Sequence, residues 1–217
     1  MICGLARRLQ RAAAGLLAAT VHLQAVAAGL EARIESPSHQ PIEDAAVILE
    51  PIDGRVSLHS RKATIAQQGR EFKPYLTIVQ TGTAIDFPNR DPIKHHIYSF
   101  SPAKTFEIKL YAGKPAKPVV FNKAGEVALG CNIHDWMEAY VLVVDTPYFA
   151  KSDASGRVLI NRVPTGRYRL RLWHPRQKAN FPSREIALGN QPAQLALSLD
   201  VAPQVVKPKP PPDSEKY

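Results

Sequence analysis

Five side chains that can bind a metal ion are concentrated in two short segments of the sequence. Cys131, His134 and Met137 are three residues apart in the segment GCNIHDWM. His95 and His96 are adjacent in the segment DPIKHHIYSF. The chain has only two cysteines and two methionines among its 217 residues, so half of its sulfur lies in one segment of eight residues. A thiol, an imidazole and a thioether at this spacing predict a metal site, with a further imidazole from the earlier segment.

The types of these ligands favour copper over zinc. One thiolate, two imidazoles and a weak thioether are the ligand set of a type 1, or blue, copper centre, which transfers single electrons. Thiolate and thioether favour Cu(I), whereas imidazole suits both oxidation states, so the charge can change with little rearrangement. A zinc site would more often have cysteine pairs or three strong ligands with an open position, and Met137 speaks against it. Either His95 or His96 can supply the second imidazole.

The rest of the sequence predicts β-strands that position these ligands. Short runs rich in Val, Ile, Leu, Tyr and Phe recur, and Gly, Pro, Asn or Asp separates most of them. Since no segment after the first 28 residues has a convincing helical period, we expect an all-β fold of antiparallel sandwiches. EVALGC and AYVLVV are predicted to be neighbouring strands joined by the turn NIHDWM. The predicted strands are LEARI, DAAVILE, YLTIVQ, TAIDF, HHIYSF, FEIKLY, PVVF, EVALGC, AYVLVV, GRVLI, YRLRLW and LALSL.

The N-terminus has the features of a secretory signal peptide. Three arginines precede an apolar run at residues 12–21, and residues 25–28 are small enough for cleavage. We therefore predict a periplasmic protein that is not stably inserted in a membrane after cleavage, the alternative being an uncleaved N-terminal anchor. Cleavage would remove Cys3 and leave Cys131 without an intramolecular disulfide partner.

Charge and composition limit the classes of partner and activity. Loss of three arginines with the signal peptide would lower the formal net charge from +9 to +6, and the remaining basic residues occur singly. An exported chain without interleaved basic and aromatic residues is not expected to bind nucleic acid. We expect no enzymatic activity, because the sequence has no G-x-S-x-G elbow and no phosphate-binding loop. The proline-rich segment 202–217 is predicted to be disordered.

The segment from Phe87 to Val144 resembles a cupredoxin, the family of blue copper proteins. FPNRDPIKHHIYSF matches the stretch that carries the first copper histidine, and the spacing in GCNIHDWM is similar to the short ligand loop of amicyanin. In this family the loop histidine reaches the surface through an apolar patch, so Trp136 is expected either in that patch or in the core. His96 stands where the family usually has Asn. The resemblance implies a Greek-key β-sandwich with one type 1 copper bound by His95, Cys131, His134 and Met137.

A second resemblance lies outside the cupredoxin-like segment. Residues 152–175, SDASGRVLINRVPTGRYRLRLWHP, are similar to the signature of carboxypeptidase regulatory-like domains, which are small transthyretin-like β-sandwiches. Residues 30–51 fit the opening strands of that family, although they could instead add edge strands to the cupredoxin. The expected boundaries are a signal peptide at 1–28, the first strands of the regulatory-like sandwich at 29–54, the cupredoxin-like domain at 55–146, the remainder of the sandwich at 147–201 and the tail at 202–217.

Three functions agree with these features. The first is the transfer of single electrons between periplasmic redox partners, such as a cytochrome or a dehydrogenase. The resemblance to proteins labelled methylamine utilisation protein implies a place in amine oxidation. The second is a carrier or store of copper, which would have a more open site. The third is a binding module with a carbohydrate-binding-like β-sandwich and no redox role.

Overall fold

The computed structural model describes residues 28–54, 56–59, 61–205 and 208. Every regular element in these ranges is a β-strand, which confirms the all-β prediction, and no helix there is long and apolar enough to cross a membrane. The predicted signal peptide lies outside the described residues except for Ala28. The strands are β1 (Ala28–Glu35), β2 (Ala46–Pro51), β3 (Lys62–Thr64), β4 (Ala66–Gln67), β5 (Phe72–Lys73), β6 (Leu76–Gln80), β7 (Thr83–Asp86), β8 (His95–Ser101), β9 (Lys104–Tyr111), β10 (Val119–Phe121), β11 (Gly125–Gly130), β12 (Glu138–Val144), β13 (Phe149–Lys151), β14 (Arg157–Val163), β15 (Gly166–Trp173), β16 (Arg184–Leu188) and β17 (Ala193–Ser198).

The middle of the chain folds into a Greek-key β-sandwich, called here the central sandwich. One sheet has the strand order β6-β12-β11-β8-β9 and the other the order β10-β7-β3. The alternation of apolar and polar residues places one face of each strand inside. On β11, Val127 and Leu129 are buried whereas Glu126 and Ala128 are exposed. Burial of each such aliphatic side chain contributes about 1.5–3 kcal/mol relative to exposure.

Two further sheets form the flanking sandwich, with the strand orders β14-β1-β17 and β13-β2-β15-β16. Its core contains Leu30 and Leu49, which precede the central sandwich in the chain, and Val158 and Leu170, which follow it. In the described residues, β1 and β2 pair only with strands from the C-terminal part of the chain. Residues 30–51 therefore do not add edge strands to the central sandwich.

A third group of apolar side chains joins the two sandwiches. Ala46 and Ile48 on β2 pack with Leu76 on β6, Leu142 on β12 and Trp173 on β15. These residues lie on the faces of β2 and β12 that are turned away from their own cores. The contact therefore holds β12, the strand that follows the predicted ligand loop, from its outer side.

The β11–β12 hairpin carries the predicted ligand loop, as the sequence indicates. The two strands pair antiparallel up to Gly130 and Glu138, and β8 pairs with the other edge of β11 through Tyr98 and Gly130. Because β8 and β11 are antiparallel, the start of β8 lies beside the end of β11. A side chain at Gly130 would press on the half-exposed ring of Tyr98, since a Cβ atom there would lie 2.8 Å from it. His95 and Cys131 are therefore brought to the same edge of the sheet.

Candidate metal centre

Three of the four predicted ligands converge at one point of the central sandwich. The Sγ atom of Cys131 and one ring nitrogen each of His95 and His134 all lie within 4.8 Å of one another. The two histidines have no exposed surface, and Cys131 is 4% exposed. Among the described residues, these are the only three His, Cys, Asp or Glu side chains grouped closely enough to hold one ion.

The two imidazoles face each other through their Nδ1 atoms, which are 3.1 Å apart. The Nε2 atom of His95 lies 2.8 Å from Oδ2 of Asp91. A carboxylate at this distance places the proton on Nε2 and fixes the orientation of the ring. The Nδ1 atom of His95 is then unprotonated, and its lone pair is directed toward His134. The side chain of Asp91 thus prepares His95 to act as a ligand.

Asp91 is held by the tight β4–β5 hairpin. Its Oδ1 atom accepts a hydrogen bond from the backbone N–H of Gly69 at 2.7 Å, and Oδ2 accepts one from that of Arg70 at 2.9 Å. Gly69 and Arg70 both have positive φ, as the two central residues of a type I′ turn do. Burial raises the pKa of Asp91, but the two N–H groups and the His95 ring lower it by more, so the pKa lies below its ordinary value. Asp91 is therefore a carboxylate at neutral pH.

Asn89 orders the loop that precedes His95. Its side-chain amide donates to the backbone carbonyls of Ile93 and Tyr111 at 2.7 and 3.0 Å. Its side-chain oxygen accepts a hydrogen bond from the backbone N–H of Asp91 at 2.9 Å. These three bonds connect the loop to the end of β9 and fix Asp91 relative to the start of β8.

The ligand loop between β11 and β12 is closed by its own backbone and by the β4–β5 hairpin. The N–H of Met137 donates to the carbonyl of His134 at 2.9 Å, which forms a turn around His134. The indole N–H of Trp136 donates to the carbonyl of Arg70 at 3.1 Å. The Trp136 ring lies 5.0 Å from the His134 ring, and the Arg70 guanidinium lies 5.7 Å from the Trp136 ring.

Met137, the fourth predicted ligand, directly precedes β12. It is 2% exposed and belongs to the same group of packed apolar side chains as Cys131. Its thioether is therefore buried in the core that contains the thiol. Its ligation of an ion stays a prediction.

His96 lies outside this group. The pairing of β8 with β9 is irregular between His95 and Ile97, so the contacts of each side chain, and not strand alternation alone, show which histidine faces the loop. The Nε2 atom of His96 lies 2.9 Å from Oε1 of Glu107 on the neighbouring strand β9, and its ring lies 5.6 Å from that of Tyr98. The structure therefore brings His95, and not His96, next to Cys131 and His134.

The donor atoms present fit a copper ion. Two nitrogen ligands that are about 2.0–2.1 Å from one ion lie about 3.1–3.6 Å apart at angles of about 100–120°. The two Nδ1 atoms are 3.1 Å apart and both buried beside a thiol. With a thioether buried in the same core, the residues provide the soft and borderline donors that copper prefers.

The sequence interpretation missed the residues that surround the ligands. Asn89 and Asp91 stand in FPNRDP, whose composition indicates a turn and nothing more specific. The sequence also showed no sign that Tyr111 lies near Cys131. Burial, together with the nearby Cys131, raises the pKa of Tyr111 well above its ordinary value, and its hydroxyl donates to the carbonyl of Phe87 at 2.8 Å. A carboxylate four residues before the candidate histidine was the one available signal for Asp91.

Several solved structures of copper proteins are similar to part of this chain. A copper-containing nitrite reductase from Thermus scotoductus SA-01 is 21% identical over 45% of this chain and 26% of that chain, with a TM-score of 0.38. A purple cupredoxin from Nitrosopumilus maritimus is 21% identical over 38% of this chain and 99% of that chain, with a TM-score of 0.34. An oxidized amicyanin variant is 17% identical over 38% of this chain and 82% of that chain, with a TM-score of 0.35. This chain thus spans about a quarter of the length of the nitrite reductase. No protein-family model and no curated protein matches the chain.

Proposed function

We propose that this chain is an exported protein that binds one copper ion and transfers single electrons between periplasmic redox partners, such as a cytochrome and a dehydrogenase. The observation that carries the proposal is the buried convergence of one thiol and two imidazole nitrogens within 4.8 Å. His95, Cys131, His134 and Met137 would hold the ion. A copper ion in such a site supplies a reversible one-electron change between Cu(I) and Cu(II).

The chain contributes rigidity and exclusion of water. Cys131 and His95 stand at the ends of paired strands, and Asp91 fixes the orientation of His95. The buried apolar side chains around Cys131 leave the ligands little freedom to move, since packed interiors resist rearrangement. A site held in this way suits electron transfer, because neither oxidation state then requires the ligands to reorganise.

The burial of the site also bears on the proposed alternative of a copper carrier. A carrier that delivers its ion to another protein needs ligands that the acceptor can reach. The three converging side chains are at most 4% exposed. His96, the additional imidazole next to the predicted ligand, is paired with Glu107. Both observations favour electron transfer.

The proposal has two finer parts, which are export and a role in amine oxidation. Export rests on residues 1–28, of which the structure describes only Ala28. A role in amine oxidation rests on the amicyanin-like spacing of the ligand loop. We also propose that residues 29–54 and 147–201 form one regulatory-like sandwich into which the cupredoxin-like domain at 55–146 is inserted. The core shared by Leu30 and Leu170 supports that arrangement.

Addition of Cu(II) to the purified mature chain tests the copper site. We expect an intense thiolate-to-copper absorption in the visible range, and we expect Cys131→Ser to abolish it. His95→Ala should remove or strongly weaken the band, whereas His96→Ala is the matched control and should retain it. Binding of Cu(I) without a coloured Cu(II) form would instead favour the carrier, and the absence of copper binding would refute both.

A further inference from the structure

His134 has no direct access to solvent. It is fully buried, with its ring 4.9 Å from the His95 ring and 5.0 Å from the Trp136 ring. A redox partner therefore cannot touch the edge of this imidazole, which departs from the exposed loop histidine that the sequence resemblance implies. An electron that passes through His134 has to cross another side chain before it reaches the surface.

Trp136 connects this buried ring to the outside. It is partly exposed and lines an open cavity of about 470 Å³ where the central sandwich meets Asp44, Arg176 and residues 203–205. Phe72, Tyr75 and the predicted ligand Met137 line the same cavity. Its rim also includes the charged residues Glu71 and Glu138. Trp136 is therefore in contact with the buried His134 on the inside and with a partly aromatic recess on the outside.

The position of Trp136 is fixed by the same hairpin that holds the His95 ligand. Its indole N–H donates to the carbonyl of Arg70, whose own backbone N–H donates to Asp91. Asp91 in turn contacts the ring of His95. Three consecutive contacts thus link the Trp136 ring to the metal centre and hold the ring beside it.

We propose that Trp136 is the residue through which electrons pass between the buried centre and a redox partner. The inference rests on the proposed function as a copper protein. One electron passes from the bound ion to an acceptor at the cavity, or from a donor at the cavity to the ion. No covalent bond forms or breaks, and no proton moves. The partner is a one-electron carrier whose cofactor presents an apolar edge small enough to reach Trp136 in the recess. The indole ring of Trp136 is chemically unchanged by the transfer, because it only bridges His134 and the acceptor.

Stopped-flow oxidation of the Cu(I)-loaded mature protein tests this role. The oxidant is tris(phenanthroline)cobalt(III), a tripositive one-electron acceptor whose outer surface consists of apolar aromatic ligands. We expect Trp136→Leu to slow the reaction by a factor of about ten or more, and Trp136→Phe, which keeps a ring, by about threefold. The control Trp173→Phe changes the only other tryptophan of the chain, keeps an aromatic ring in the buried contact between the sandwiches and should leave the rate unchanged. A rate in both Trp136 variants equal to or above that of the unmodified protein would overturn the proposal.

A second readout does not depend on electron transfer. In the Trp173→Phe variant all indole fluorescence comes from Trp136, and we expect bound Cu(II) to quench most of it because His134 is 5.0 Å away. In the metal-free form, acrylamide should also quench it, since the ring borders an open cavity. Emission that is insensitive to bound Cu(II) would contradict the contact between Trp136 and the metal centre. Emission that is insensitive to acrylamide would contradict the access of Trp136 to solvent.

The visible band separates failure of this inference from failure of the proposed function. If the unmodified protein forms no thiolate-to-copper band, the copper function fails and the inference fails with it. If the band forms and is equal in the Trp136 and Trp173 variants, a change in rate is due to the electron path and not to the ligands. An intact band with unchanged rates refutes the role of Trp136 alone.

Discussion

Replacement of Asp91 by Asn should weaken copper binding although Asp91 is not a predicted ligand. The carboxylate accepts hydrogen bonds from Gly69 and Arg70 and lies 2.8 Å from Nε2 of His95. Asn has a similar volume but only one side-chain oxygen, so at least one of these three groups loses its acceptor. The negative charge that fixes the tautomer of His95 is lost as well.

The expected loss follows from what such a partner contributes to a metal site. Removal of a group that orients a histidine ligand typically costs about 10–100-fold in metal affinity, or about 1.4–2.7 kcal/mol. The metal-free protein should also lose stability, since hydrogen bonds to a charged group contribute about 1.5–3 kcal/mol. Titration of Cu(I) against a competing chelator measures the first quantity, and urea denaturation of the metal-free protein measures the second.

Glu107→Gln is the matched control for Asp91→Asn. Glu107 lies 2.9 Å from Nε2 of His96, so the same chemical change is made beside the neighbouring imidazole. Its side chain is 53% exposed, and a pair this open contributes little to stability. We expect unchanged copper affinity in this variant. An affinity of Asp91→Asn within threefold of the unmodified protein, or an equal loss in Glu107→Gln, would refute the role of Asp91 in orienting His95.

Two further predictions concern stability. Gly130→Ala should destabilise the metal-free protein by about 1–3 kcal/mol in urea denaturation, because its Cβ would lie 2.8 Å from the Tyr98 ring; Gly189→Ala, with open space around the site, is the control and should be close to neutral. Burial, followed by the nearby Arg176, lowers the pKa of His174 from 6.5 to about 4. The unfolded chain therefore binds a proton at His174 at a higher pH than the folded chain does. The contribution of His174 to stability should be complete above pH 6.5 and fall by up to about 3 kcal/mol as the pH drops to 4. His174→Asn should flatten that dependence, and an unchanged pH profile in this variant would contradict it.

The long strands could be predicted because each has one side in a core. TAIDF and EVALGC alternate between buried and less buried residues, and they correspond to β7 and β11. Five strands were missed, and their residues explain why. β4 and β5 have two residues each, too few to show a period, and β16 is mostly exposed, with only Ile186 and Leu188 turned toward the core. Such strands form because a partner strand is already in place, which is a property of the tertiary fold.

The sequence indicated which residue types could bind a metal, but not which of His95 and His96 lies beside Cys131. His95 and His96 are adjacent and chemically identical, and a shift of one residue in the register of β8 would exchange the sides that they face. The register depends on the pairing of β8 with β9 and β11, so no local pattern decides it. Asp91 and Asn89 were recognised only as turn formers, since the same residue types occur in turns that support no site.

The β4–β5 hairpin shows why the support of the centre was harder to predict than its ligands. It contains none of the predicted ligands, yet its backbone forms hydrogen bonds with Asp91 and Trp136. The side chain of Gln67, on β4, donates to the backbone carbonyl of His96. Two consecutive residues of positive φ aim both N–H groups at one carboxylate, which a type I′ turn allows and an extended strand does not. Backbone groups can perform this task with many sequences, provided that the turn is kept. The ligands are therefore constrained by side-chain chemistry that the sequence displays, whereas their orientation is constrained by a backbone geometry that only the folded chain reveals.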